Sequence, residues 1–305
     1  MEWRRTEEQE ELAGTVRGLL AKRSDSATVR AAMASDEGYD LALWQALCQQ
    51  VGVAALPIPE QYDGFGATLA ETAVVLEELG RNLTPAPLLA SSLAAANALL
   101  HGTDAERAEL LPALATGSVV PFTLGDVVLE PAQRTGSMDQ TLRIALADTP
   151  VELPVDVRAI SVALVSALQV GAMQRALDMT VAYAKERVQF GRPIGSFQAL
   201  KHRMADMLVL LEASRSASRG ATGAAAAYLE DPTAENGDVL ARLAAVAGAY
   251  CSEALDHIAS ETVQLHGGIA ITWEHDTQLV FKRAHALNQL NGPAHRLRAV
   301  ALELR

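Results

Sequence analysis

The stretch Lys185–Met207, KERVQFGRPIGSFQALKHRMADM, decides how the rest of the chain is read. It enters as a helix, breaks at Gly191 and Pro193, and resumes as a second helix, because glycine favours a turn and proline removes a backbone donor. Long 3.6-residue periodicities flank the break, and their spacing predicts helices over about 158–190, 197–229, 234–266, 272–288 and 294–302. Segments of this length with short turns imply a helix bundle. Alanine-rich runs such as GATGAAAAYLE (220–230) and LARLAAVAGAYCSEAL (240–255) allow close helix packing.

Toward the N-terminus the pattern stays helical. TEEQEELAGTVRGLLAKR (6–23) places Leu12, Val16, Leu19 and Leu20 on one stripe, and Thr6 with Gln9 is spaced for a capping box. Further helices are expected over about 40–48, 69–79, 90–100 and 105–114, separated by LPIPEQYDGFG (56–66) and LTPAPLL (83–89). Residues 117–153 are punctuated by Pro, Gly and Thr, and alternations such as 141–145 suit two or three small strands. The expected organisation is therefore a mainly α chain: a helical domain over 1–117, a short β-containing connector over 118–154, and a four-helix bundle over 155–305.

Composition narrows the function. With 25 basic against 37 acidic side chains the net charge is −12, and no basic stripe is present to neutralise phosphate backbones, so nucleic acid is not an expected partner. Cys48 and Cys251 match no metal-ligand spacing and read as reduced core residues. The N-terminus is charged where a signal peptide is apolar, and no long apolar run suggests a membrane span. A soluble, cytoplasmic protein without a metal site is the expectation.

Three clusters could carry chemistry. At the helix break stand Arg187, Gln189, Phe190, Phe197 and Gln198. A guanidinium pairs with phosphate, an aromatic ring stacks on a base and a carboxamide bonds to either, so the set could hold an adenine nucleotide; a helix cap over a buried Phe is the plainer alternative. In QLHGGIAIT, Gly267 and Gly268 could be a simple C-cap or could offer backbone amides to a phosphate, with Gln264 one turn earlier. In FKRAHALNQLNGPAHRLR, Asn291, Gly292 and Pro293 interrupt a helix beside His285 and His295, and a surface turn is the default reading. No carboxylate or nucleophile is spaced to orient any histidine as a base, so no residue is assigned as catalytic.

Taken together, RVQFGRPIGSFQ, QLHGGIAITWEHD, FKRAHAL and the N-terminal LPIPEQYDGFGATLAETAVVLEELGRNLTPAPLL resemble the flavin-dependent acyl-CoA dehydrogenases, over about residues 1–118 and 155–305. The resemblance implies a helical domain, a middle β-domain and a four-helix bundle, assembled with flavin at a subunit interface. Carried over, Arg187 would contact the FAD diphosphate with Gln189 and Phe190 beside it, and Phe197 and Gln198 would continue the wall. Gln264, Gly267 and Gly268 would approach the adenosine and diphosphate of a neighbouring chain's cofactor. Arg158 is a candidate for the CoA phosphates.

Two departures stand out. The connector is far shorter than the family's middle domain. The family's glutamate base aligns either with Gly292 or, in some members, with Ser161, and neither is a carboxylate; Asp156 and Glu152 are the nearby substitutes. The pattern resembles the degenerate subunit of heteromeric (α2β2) dehydrogenases acting on steroid side-chain CoA thioesters, whose partner would be a larger homologous subunit. A complete homo-oligomeric enzyme with a displaced base, or a helical interaction protein, are the alternatives.

Overall fold

A computed structural model describes residues 4–132 and 136–303. Residues 133–135 of the connector lie outside the described residues. The N-terminal region opens with α1 (Glu7–Arg23), which starts in the expected capping box: Gln9 N–H donates to Thr6 Oγ1, and Gln9 Oε1 accepts from Thr6 N–H. It continues through α2 (Ser26–Ala34) and α3 (Leu41–Ala46), a π-turn over Leu47–Val51, then α4 (Leu69–Asn82), α5 (Leu88–His101) and α6 (Asp104–Ala115). Capping boxes Thr68–Glu71 and Thr103–Glu106 fix the starts of α4 and α6. Helix α2 was not expected. Its N-cap Asp25 follows the end of α1 by two residues, with no glycine or proline to mark the break.

The middle of the chain is a small antiparallel sheet of three-residue strands, β1 (Phe122–Leu124), β2 (Val127–Leu129) and β3 (Ile144–Leu146), with Phe122 opposite Leu129 and Val127 opposite Leu146. A sheet this short has little face to bury, so its position depends on polar anchors. Trp44 Nε1 donates to the Gly117 carbonyl at 2.9 Å. Further along, Asp139 pairs with Arg283 at 2.8 Å, and Arg283 also donates to the Thr141 carbonyl at 2.9 Å. Both charged side chains are essentially inaccessible. Such a buried pair stabilises little in itself, but removing one partner strands the other.

The C-terminal bundle comprises α7 (Val155–Glu186), α8 (Gln198–Glu230), α9 (Ala234–His266) and α10 (Thr277–Leu290), followed by α11 (Ala294–Glu303). Arg283 belongs to α10, so the connector is pinned to the bundle. Helix α7 is long and apolar enough to cross a bilayer, which the sequence was not expected to provide, yet 83% of that window is buried by its neighbours. It is a central helix, apolar on all sides because other helices surround it. The contact of α4 with α7 is very close: a Cβ at Gly171 would sit 2.1 Å from the Glu77 carbonyl oxygen, and one at Gly80 would sit 2.4 Å from that of Leu168. Charged contacts bind the N-terminal helices to the bundle. Arg5 and Arg215 share Glu77, and Arg30 and Arg175 share Asp276.

Candidate functional site

The predicted helix to residue 190 ends earlier, at Glu186. Arg187 is the residue that caps α7, and its carbonyl accepts from Ile194 N–H at 2.8 Å. Gln189 lies beyond the helix end, in a hairpin with two residues per strand, β4 (Val188–Gln189) paired with β5 (Arg192–Pro193). Phe190 (φ 53°) and Gly191 (φ 75°) form its turn, and both have the left-handed backbone that primed hairpin turns need. For a bulky residue that conformation costs roughly 1–2 kcal/mol, and nothing in the chain offsets it by burial, because Phe190 is 91% exposed. This contradicts the buried-Phe cap as an account of the segment. Phe190 meets Phe197 edge-to-face at 6.1 Å, and the Arg192 guanidinium lies 4.1 Å from the Phe197 ring centre. Gln198, the first residue of α8, bonds to His202 at 3.0 Å. Arg187 is exposed and forms no ion pair among the described residues.

Gly267 ends α9 at φ 65°, and a short 3-10 turn follows over Gly267–Ile271. Gln264, Gly267 and Gly268 are exposed, and a Cβ at either glycine would meet nothing within 4 Å, so the backbone here is open to an approaching group. The structure brings this turn to the end of the bundle that carries the Arg187 hairpin: Tyr183, whose carbonyl accepts from Arg187 N–H at 2.8 Å, stacks on His266 at 4.5 Å. That stack was not foreseen, since it joins rings 83 positions apart. Exposed Ile269, Ile271 and Trp273 extend the apolar character of the same loop.

Arg158 is not part of this gathering. It lies in the first turn of α7, about 44 Å along the helix axis from Arg187 at 1.5 Å per residue. Its neighbourhood holds Ser161 and Gly292, the two positions where the sequence resemblance would place the family's base. They meet in space: Ser161 Oγ donates to Asn291 Oδ1 at 3.0 Å, next to Gly292. Ser161 is fully buried, and the contact is neutral.

The substitute carboxylate Asp156 is already engaged. It accepts from Tyr228 OH at 3.0 Å and from Val157 N–H at 2.8 Å, and His101 Nε2 lies 3.0 Å away. Partial burial alone would raise its pKa, but these hydrogen bonds outweigh burial and hold the carboxyl below its ordinary value. A general base at neutral pH needs the opposite tuning. Glu152 is exposed, ahead of α7. The two thiols are equally unreactive, with burial pushing both Cys48 and Cys251 up to about 12.

Comparison with known proteins bears on the family and the fold. A family profile described as the acyl-CoA dehydrogenase N-terminal domain matches residues 6–118, and one described as the C-terminal domain matches residues 160–303. Acyl-CoA dehydrogenase IpdE2 of Mycobacterium tuberculosis is 46% identical over 98% of both chains. Among solved structures, the Tcur3481–Tcur3483 steroid dehydrogenase variant superposes with a TM-score of 0.80 at 24% identity, covering 98% of this chain and 97% of that one. The ChsE4–ChsE5 complex of Mycobacterium tuberculosis gives 0.79 at 23% identity, covering 100% and 99%. At that identity these two speak to the fold. With two family profiles and a near full-length relative in agreement, the chain belongs to the acyl-CoA dehydrogenase family.

Proposed function

We propose that this chain is the non-catalytic subunit of a heteromeric, FAD-dependent acyl-CoA dehydrogenase, and that it supports flavin bound largely by a larger homologous partner. One observation carries the reading. Both positions where the resemblance would place the base, Ser161 and Gly292, are neutral, and Ser161 is hydrogen-bonded to Asn291 beside Gly292. The exposed end of the bundle, in contrast, keeps the groups suited to a dinucleotide.

The residues there fit part of FAD. Arg187 supplies an exposed guanidinium for the diphosphate, Phe190 and Phe197 supply aromatic faces, Gln189, Gln198 and Gln264 supply carboxamides, and Gly267 and Gly268 leave their amides uncovered. FAD, when bound, supplies the hydride acceptor for α,β-dehydrogenation of an acyl thioester. The chain's own contribution is to orient the cofactor and exclude water with its exposed apolar loop. A general base must come from the partner. Because Ser161 lies about 39 Å along α7 from Arg187, the two ends cannot serve the same reacting atoms. We infer an α2β2 assembly and a steroid side-chain CoA substrate; the likeness in fold to a two-component complex and to a steroid dehydrogenase supports the inference. Free cysteines suit a cytoplasmic setting.

Purified alone, the chain should be colourless and should not reduce an electron acceptor with any acyl-CoA; with its partner, activity should appear. A yellow, active homo-oligomer whose turnover is lost in Asp156→Asn would sink this reading in favour of a complete enzyme with a displaced base.

A further inference from the structure

His266 stands where the two candidate flavin segments meet. It directly precedes Gly267, and it stacks on Tyr183, one turn ahead of Arg187, with the ring planes 24° apart. It also meets the His275 ring at 4.9 Å. Its Nδ1–H is fixed by the Thr262 carbonyl at 2.7 Å, which leaves Nε2 with a lone pair and no donor to it in a residue only 4% exposed, with the Met179 carbonyl also close to the ring. His275 is fixed in the other tautomer: its Nδ1 accepts from Thr277 N–H at 3.2 Å and from Thr277 Oγ1 at 2.5 Å, so its proton resides on Nε2.

We propose that His266 is a positioning residue: as a neutral ring wedged between Tyr183 and His275, it fixes the Arg187 hairpin against the Gly267–Gly268 turn, and protonation releases both. The proposal rests on the reading of these segments as a flavin-supporting end, and it adds how they are held and what loosens them.

Burial disfavours a charge here more than the nearby carbonyls support it. The groups around the pair are Tyr183, the Thr262 and Met179 carbonyls, and, around His275, Asp276, Arg175 and Arg30. Asp276 is the one carboxylate among them, and it is already shared by Arg30 at 3.0 Å and Arg175 at 2.9 Å. Burial, followed by repulsion from His275, lowers the His266 pKa, against the opposing pull of the two carbonyls. For His275, burial again acts first; Asp276 opposes it, and Arg175 and Arg30 add to the lowering. A lowered histidine pKa means that the closed arrangement is held at neutral pH and lost as pH falls below 6.5, the ordinary value.

Hydrogen exchange of the protein as isolated, corrected for intrinsic pH dependence, tests this. Peptides covering 183–197 and 262–272 should lose protection together on acidification, with opening rising by up to about tenfold per pH unit from 6.5 down to the lowered folded value. His266→Phe, which keeps a stacking ring but no titrating proton, should hold both segments closed across that range. His266→Gln, which keeps a polar group but no ring, should leave both open at neutral pH.

Protection that does not change with pH in the wild type, that changes in one segment only, or that falls equally in His266→Phe would overturn the proposal. The wild-type profile needs no variant to fold. Flavin absorbance of the partnered protein is read in parallel: coupled opening without flavin loss would leave the His266 strut standing and remove the flavin role beneath it.

Discussion

The two ends of α7 teach opposite lessons. Near Ser161 the polar groups are mostly paired and closed: Ser161 bonds Asn291, Asp156 bonds His101 and Tyr228, and Gln169 Nε2 further along donates to Ser252 and Asn288, leaving its Oε1 buried without a partner. Near Arg187 the groups are open: an exposed cation, a Phe held in a left-handed turn without burial, and two bare glycines. A fold tolerates exposed strain of that kind where something outside the chain compensates for it. The proposed function reads this contrast as an outward-facing cofactor-supporting end kept and an inward-facing base position sealed.

If that contrast is real, substitutions in the closed part should cost stability and those at the open end should cost cofactor. The largest effect belongs to the buried anchor of the connector. Arg283→Ala strands Asp139 and should lower unfolding free energy by about 3–5 kcal/mol in a urea titration. Next comes Glu130, whose carboxyl is pushed up to about 7 by burial, with Arg143 opposing. Because its folded pKa is raised, the folded state is disfavoured as pH climbs from about 4.5 to 7. Glu130→Gln should therefore stabilise the protein at pH 8 by on the order of 2–3 kcal/mol and have little effect at pH 4.

Smaller effects sharpen the contrast. Ser161→Ala removes one neutral hydrogen bond and should cost roughly 1 kcal/mol, without changing the turnover of the assembled complex. Asp156 works in the acid range. Its lowered pKa makes its contribution complete above the ordinary value of 3.8 and lost as pH falls through the folded value. Asp156→Asn should flatten the acid limb of a thermal-stability profile and leave neutral activity intact. An activity loss at neutral pH would break the comparison.

How much of this was legible in the sequence differs between the same two ends. The long helices were, because their apolar repeats and the Thr6–Gln9 capping box are local signals. The hairpin was not, since strands of two residues fall below any periodicity window, although Phe190–Gly191 ahead of Arg192–Pro193 carries a turn signal. Arg187, Phe190, Gln264 and Gly267 were nameable from motifs, but their gathering at one end depends on the Tyr183–His266 stack, a contact no local pattern encodes. The closed end was legible only as an absence of carboxylate. That Ser161 and Asn291 bond each other follows from how α7 and α10 pack, and Asp156 was indistinguishable from a free base until His101 and Tyr228 were seen to hold it.

The central claim, that the open end serves a partner's flavin, is tested most directly by flavin occupancy of the co-purified complex carrying Arg187→Ala. Loss of a charge-assisted contact worth about 1.5–3 kcal/mol predicts roughly 10- to 100-fold weaker flavin retention, with assembly and melting temperature unchanged because Arg187 is exposed and unpaired among the described residues. Full flavin occupancy in that variant would contradict the account.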